Sequence, residues 1–171
     1  MLDKFFPDNY VESAYVIHYE DLYEKGYRGV IFDIDNTLVP HGFPADNRAI
    51  RLFKRLKEIG FNCCLLSNNK EPRVSAFNRD VDVLAISSAH KPRVKNYERA
   101  MELMKTTKGT TLFVGDQLFT DVWGAKKAGI RNYLVKPIHP KEEIQIVLKR
   151  YLEKIVLHSY KRRVQTKKVE K

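Results

Sequence analysis

Residues 29–40, GVIFDIDNTLVP, decide how this chain is read. The β-forming residues Val30, Ile31 and Phe32 run straight into two aspartates, Asp33 and Asp35. An unpaired carboxylate at the end of a buried strand is so unfavourable that it would sooner take up a proton than stay charged. These acids therefore need a partner, either from elsewhere in the chain or from a bound cation.

Working outward, four more apolar runs have the length of strands: 62–67 (NCCLLS), 81–86 (VDVLAI), 110–115 (TTLFVG) and 132–136 (NYLVK). Most are nearly continuous rather than alternating, as in strands covered on both faces. Helical spacing appears between them, at 46–59, 71–79, 93–105, 119–128 and 140–157. Asp46 suits an N-cap, and Gly60 and Gly129 suit stops. Strands and helices in alternation predict an α/β, three-layer Rossmann-like fold: a mostly parallel five-stranded sheet with helices on both faces. Residues 1–28 precede this rhythm and are expected to be a helical extension packed on the core. The domain proper is expected over 29–157 and a basic tail over 158–171.

A length of 171 residues suits one domain. The 43% apolar and 30% charged content suits a globular chain, and no apolar run approaches the roughly 20 residues that cross a bilayer. The start, MLDKFFPDNY, lacks a secretory pattern, so a cytoplasmic location is expected. Adjacent Cys63 and Cys64 point to opposite faces of a strand and read as core residues. The net charge of +10 favours anionic partners: nucleic acid, acidic headgroups or phosphorylated metabolites. Residues 158–171 hold six Lys or Arg against one Glu.

In open α/β sheets ligands bind beyond the carboxyl ends of the strands. Those ends carry Asp33 and Asp35; Ser67, Asn68 and Asn69; Ser87, Ser88, His90 and Lys91; and Gly115, Asp116, Gln117, Thr120 and Asp121. An isolated aspartate usually caps a turn or helix. Several acids sharing one sheet edge call for a cation, and Mg²⁺, which takes a few carboxylates plus water and phosphate oxygens, suits Asp33, Asp35 and Asp116. One carboxylate can then attack phosphorus while the acid two positions on handles the leaving-group proton. Ser67 and Lys91 would hold the phosphoryl oxygens.

DIDNT at 33–37 resembles the DxDxT signature of haloacid dehalogenase-type (HAD) phosphotransferases. LLSNN around Ser67, HKP around Lys91 and GDQLFTD at 115–121 are similar to the family's remaining motifs, in order. The resemblance implies Asp33 as nucleophile, Asp35 as general acid/base, Thr37 as a loop-shaping hydroxyl and Ser67 as a phosphate binder. Lys91 matches the third-motif lysine, and Thr37, Asn68 and Lys91 are expected to border the substrate. Asp116 is implied as a Mg²⁺ ligand, with Asp121 and Gly115 in support. His41 and His90 take no assigned role.

No insertion follows Thr37, and only 91 − 67 = 24 residues separate Ser67 from Lys91, so the chain resembles the capless branch. More narrowly it resembles the YqeG-type phosphatases, related to phosphatidylglycerophosphate phosphatases. That likeness implies a phospholipid headgroup as substrate. Separately, a basic surface beside Phe5, Phe6, Tyr10 and Tyr15 suits peripheral contact with an anionic membrane, and the same aromatics suit the core equally well. The alternatives are the same chemistry on nucleic acid ends or phosphoprotein, or a non-catalytic RNA- or ribosome-binding protein.

Overall fold

In the computed structural model, which describes residues 2–139 and 144–169 (the side chains of 144–146 and 167–169 excepted), strands alternate with helices along the chain. They are β1 (Asn9–Val11), α1 (Tyr19–Glu24), β2 (Gly29–Phe32), α2 (Asn47–Ile59), β3 (Asn62–Leu66), α3 (Glu71–Asn78), β4 (Leu84–Ile86), α4 (Lys95–Met104), β5 (Thr111–Gly115), α5 (Trp123–Ala128), β6 (Arg131–Val135) and α6 (Ile144–Val169). The sheet runs β1-β6-β5-β2-β3-β4 with every pairing parallel. From β2 the chain steps outward to β3 and β4, then returns to the other side of β2 as β5. The crevice where the strand order reverses, between the ends of β2 and β5, is where such sheets bind ligands.

Alternate residues of the central strands feed two layers. Val30, Phe32, Leu65 and Val114 pack with Leu22, Phe53, Leu56 and Phe77 beneath α1, α2 and α3. Ile31, Cys64, Leu66 and Phe113 pack with Tyr97, Met101, Met104 and Ala125 of α4 and α5. Cys63 and Cys64 thus enter opposite layers, and burial pushes both thiols up to about 12, which leaves them inert as nucleophiles. Helix α2 begins where Asp46 Oδ1 accepts the Ala49 amide at 2.8 Å and ends at Gly60, whose φ of +112° suits glycine. Its buried stripe of Ala49, Leu52, Phe53 and Leu56 is the reason it forms, each larger side chain contributing roughly 1.5–3 kcal/mol.

The sheet has six strands, not five. The stretch 1–28, expected to be helical, supplies β1. Three residues without an apolar run give no strand signal; polar bonds pin β1 instead. Asp8 Oδ2 accepts the Asn132 backbone and side-chain amides at 3.0 and 2.8 Å, and Arg131 donates to Asn9. The strand expected over 81–86 shrinks to β4, because Val81 and Asp82 still bond to the Asn78 carbonyl and the Asn78 side chain clasps the Val83 backbone. The helix expected over 119–128 begins as a π-helical turn, Leu118–Val122, before α5.

Helix α6 continues past 157 to Val169, so most of the expected tail is helical; 140–143 and 170–171 lie outside the described residues. One face seats Val156 against Leu118, Val122 and Leu134. The opposite face carries Leu148, Tyr151, Leu152 and Ile155, each 57–65% exposed. Among the described residues no helix is long and apolar enough to cross a membrane. The half-buried N-terminal aromatics make contacts within the fold: Phe5 stands edge-on to Phe119 and Trp123, Phe6 meets Tyr160, and the Tyr15 hydroxyl donates to the Leu38 carbonyl at 2.6 Å.

Candidate active site

The ends of β2, β3, β4 and β5 converge on a polar cavity of about 240 Å³, whose walls include Asp33, Asp35, Ser67, Lys91, Thr120 and Lys149. Asp33 leaves the end of β2 with its amide bonded to the Val114 carbonyl of β5 at 2.9 Å, which fixes its position at the switch point. Lys91 Nζ donates to Asp33 Oδ1 at 2.6 Å and to Asp121 Oδ1 at 2.7 Å, with only 3% of its side chain exposed. The Thr37 hydroxyl lies 3.2 Å from both Asp33 Oδ2 and Asp116 Oδ1, so its single proton serves one carboxylate or the other.

Asp121 is the brace of this arrangement. While Oδ1 faces Lys91, Oδ2 accepts the amides of Asp116 at 3.1 Å and Gln117 at 3.0 Å. The π-helical turn brings it there, held by the Tyr97 hydroxyl donating to the Thr120 carbonyl at 2.9 Å. Gly115 makes room: a Cβ at this position would fall 2.5 Å from Asp121 Oδ2.

Asp33, Asp116 and Asp121 each present a carboxylate oxygen within 4.8 Å of the others. Burial raises Asp33 to about 6 against the pull of Lys91, with Asp121 pushing it further up. Burial also raises Asp116 well above the carboxylate range, although Arg150 opposes the shift. Burial works against the Lys91 ammonium, but Asp121 and Asp33 outweigh it and the net shift is upward. Buried carboxylate oxygens gathered within 4.8 Å of one another, whose charges a cation would let stand together, are the donor chemistry of a hard divalent cation. Asp33 and Asp116 are the residues fitted to hold one, since both oxygens of Asp121 are already taken by N–H donors.

Asp35 departs from its expected place. It lines the cavity, but its carboxylate is clasped by Arg73 at 2.8 Å, the Asn69 amide at 2.5 Å and the Gly42 amide at 2.8 Å. The acid that joins Asp33 and Asp116 within 4.8 Å is Asp121 and not Asp35. Asn68 is exposed on the cavity wall, and its Oδ1 accepts the Lys91 amide at 2.7 Å, which ties it to the backbone of the lysine. Ser67 is buried on the cavity wall, with Oγ accepting from the Asn69 backbone amide at 3.1 Å and from its side-chain amide at 3.3 Å. His41 borders the cavity with Nδ1 3.9 Å from Asp35, whereas exposed His90 is not among its lining residues.

Four contributors carried no legible signal in the sequence. Arg73, on the first turns of α3, clasps Asp35, and Lys149 enters the cavity wall from α6. Arg150 donates to an Asp116 carboxylate oxygen and, at 2.7 Å, to its carbonyl, while Glu153 holds Arg150 at 2.8 Å and accepts the Leu118 amide at 2.7 Å. The i, i+3 spacing of Arg150 and Glu153 marks an ion pair, but nothing in it reveals that α6 packs on the Leu118–Val122 turn beside Asp116.

A family model described as haloacid dehalogenase-like hydrolase matches residues 41–129, beginning just past the two aspartates of β2. The chain is 37% identical over 165 residues to "Probable phosphatase YqeG" of Bacillus subtilis (strain 168), covering 95% of this chain and 96% of that protein. It is 26% identical over 164 residues to phosphatidylglycerophosphate phosphatase 1, chloroplastic/mitochondrial, of Arabidopsis thaliana, covering 84% of this chain and 47% of the plant protein, about half its length. In fold it is similar to YfnB of Bacillus subtilis, a HAD-type protein solved with magnesium: TM-score 0.55, 14% identity, 70% of this chain and 91% of that one.

Proposed function

We propose that this chain, which belongs to the haloacid dehalogenase-like hydrolases, is a Mg²⁺-dependent phosphomonoesterase that works through an aspartyl-phosphate on Asp33. The observation that carries the reading is the Asp33 carboxylate, fixed between Lys91 and Thr37 and within reach of Asp116, facing a cavity that Ser67 lines. In this reading Asp33 and Asp116 hold the cation, which neutralises carboxylate and phosphoryl charge when bound. An Asp33 oxygen attacks phosphorus as the ester P–O bond breaks, and Asp35, released from Arg73, gives the departing alkoxide its proton. Asp35 then takes a proton from water, which attacks the same phosphorus, frees inorganic phosphate and restores Asp33. Lys91 and Ser67 hold the phosphoryl oxygens where charge accumulates.

The likeness to a named phosphatidylglycerophosphate phosphatase supports that phospholipid as substrate, and the +10 charge supports encounter at an anionic membrane surface from the cytoplasm. With Mg²⁺, phosphate release is measured from phosphatidylglycerophosphate, 3′-phosphorylated DNA and a phosphopeptide. The expected result is turnover of the lipid above the other two, abolished in Asp33→Asn. Preference for DNA or peptide would overturn the lipid assignment, and equal turnover in Asp33→Asn would overturn the mechanism.

A further inference from the structure

Behind the Asp116–Arg150 pair lies a second cavity, of about 410 Å³, in the size range of small-molecule sites. The two cavities share a partition. Gln117 and Lys149 face the catalytic one, while their neighbours Asp116, Leu118 and Arg150 face the second. Its floor is apolar, from Leu118, Leu134, Val135 and Leu157. Its wall is one face of α6, where Arg150, Lys154, His158 and Lys161 recur at helical spacing. The two acids present, Asp116 and Glu153, are both bonded to Arg150, and Glu153 is engaged further by the Leu118 amide. Lys154 and Lys161 form no ion pair among the described residues; each ammonium lies against a tyrosine ring instead, Tyr151 at 5.2 Å and Tyr10 at 5.7 Å.

A cationic wall over an apolar floor fits an anion that carries an apolar tail. We propose that this cavity is a subsite for the internal phosphodiester and the first carbons of the tail of a phosphorylated lipid, whose terminal phosphate enters the catalytic cavity next door. Lys154 and Lys161 pair with the diester charge, and Leu134 and Leu157 receive the tail. The assignment rests on the phosphomonoesterase reading for its orientation, but the subsite binds a lipid that lacks the terminal phosphate.

The test uses dihexanoylphosphatidylglycerol below its micellar concentration, titrated calorimetrically into the full chain. Saturable binding is expected, equal in wild type and Asp33→Asn. Binding should weaken at least tenfold in Lys154→Glu/Lys161→Glu, and severalfold in each of the single variants Lys154→Gln and Lys161→Gln. Circular dichroism checks that all of these fold. Glycerophosphoglycerol, which has the diester and no tail, should bind at least tenfold more weakly, as should zwitterionic dihexanoylphosphatidylcholine. Absent binding, binding indifferent to the lysines, or equal affinity for the tail-less diester overturns the subsite. Phosphate release without lipid binding would leave the phosphomonoesterase reading standing and refute only the subsite. Lipid binding without any phosphate release would do the reverse.

Discussion

Replacing the proposed nucleophile by its neutral isostere is expected to stabilise the metal-free protein. Asp33 is raised to about 6 in the fold from an ordinary 3.8, chiefly by burial. The folded state therefore holds this proton more tightly than the unfolded chain does, so the group favours folding in acid and that advantage disappears as pH rises through about 6. At pH 7.5 the ionised Asp33 destabilises the fold by about 3 kcal/mol relative to a neutral group, at 1.36 kcal/mol per unit; near pH 4.5 the same linkage leaves about 1 kcal/mol. Asparagine keeps an acceptor for Lys91 and offers a donor towards Thr37. In urea denaturation with EDTA, Asp33→Asn should exceed wild type by about 3 kcal/mol at pH 7.5 and by about 1 kcal/mol at pH 4.5. Saturating Mg²⁺ should narrow the gap, because it stabilises the wild type more. A gap that is absent at pH 7.5, or the same at both pH values, would refute the burial argument.

Lys91→Met strips the charge that faces two buried carboxylates and should lower stability by about 3–5 kcal/mol in the same denaturation assay. Gly115→Ala places a methyl group against Asp121; a loss of about 1–3 kcal/mol and a sharp fall in phosphate release are expected, with far-ultraviolet circular dichroism unchanged. Arg150→Gln removes the guanidinium that competes for Asp116, so Mn²⁺ should bind about tenfold more tightly by calorimetry, equivalent to about 1.4 kcal/mol. Weaker Mn²⁺ binding in that variant would show that Arg150 supports the cation instead of displacing it.

Much of the site was legible because strand ends advertise themselves: an apolar run that stops at an acid, hydroxyl or lysine puts that group beyond the sheet edge. Asp33, Ser67, Lys91 and Asp116 all stand where that rule puts them. The rule fixes where a Cα lies but not where a side chain points. Asp35 has the right address but faces Arg73, a partner six residues beyond Ser67 whose approach depends on how α3 enters the cavity rim. The bond that ties Asn68 to the Lys91 backbone escaped for the same reason. β1 escaped because an edge strand of three residues can be held by Asp8 and Asn132 without apolar periodicity. The return of α6 onto Asp116 escaped because the helix is apolar on two faces, and periodicity alone does not say which of them is seated.

The return of the chain from β4 on one side of β2 to β5 on the other also has a consequence for biosynthesis. Asp33, Ser67 and Lys91 all precede α4, whereas Asp116 and Asp121 follow only after α4 has been made. During vectorial synthesis Lys91 is thus translated before one of the two carboxylates that neutralise it, and Asp33 and Asp116 come together only when β5 is inserted beside β2. On the proposed mechanism, the order of the strands keeps the site incomplete in the nascent polypeptide.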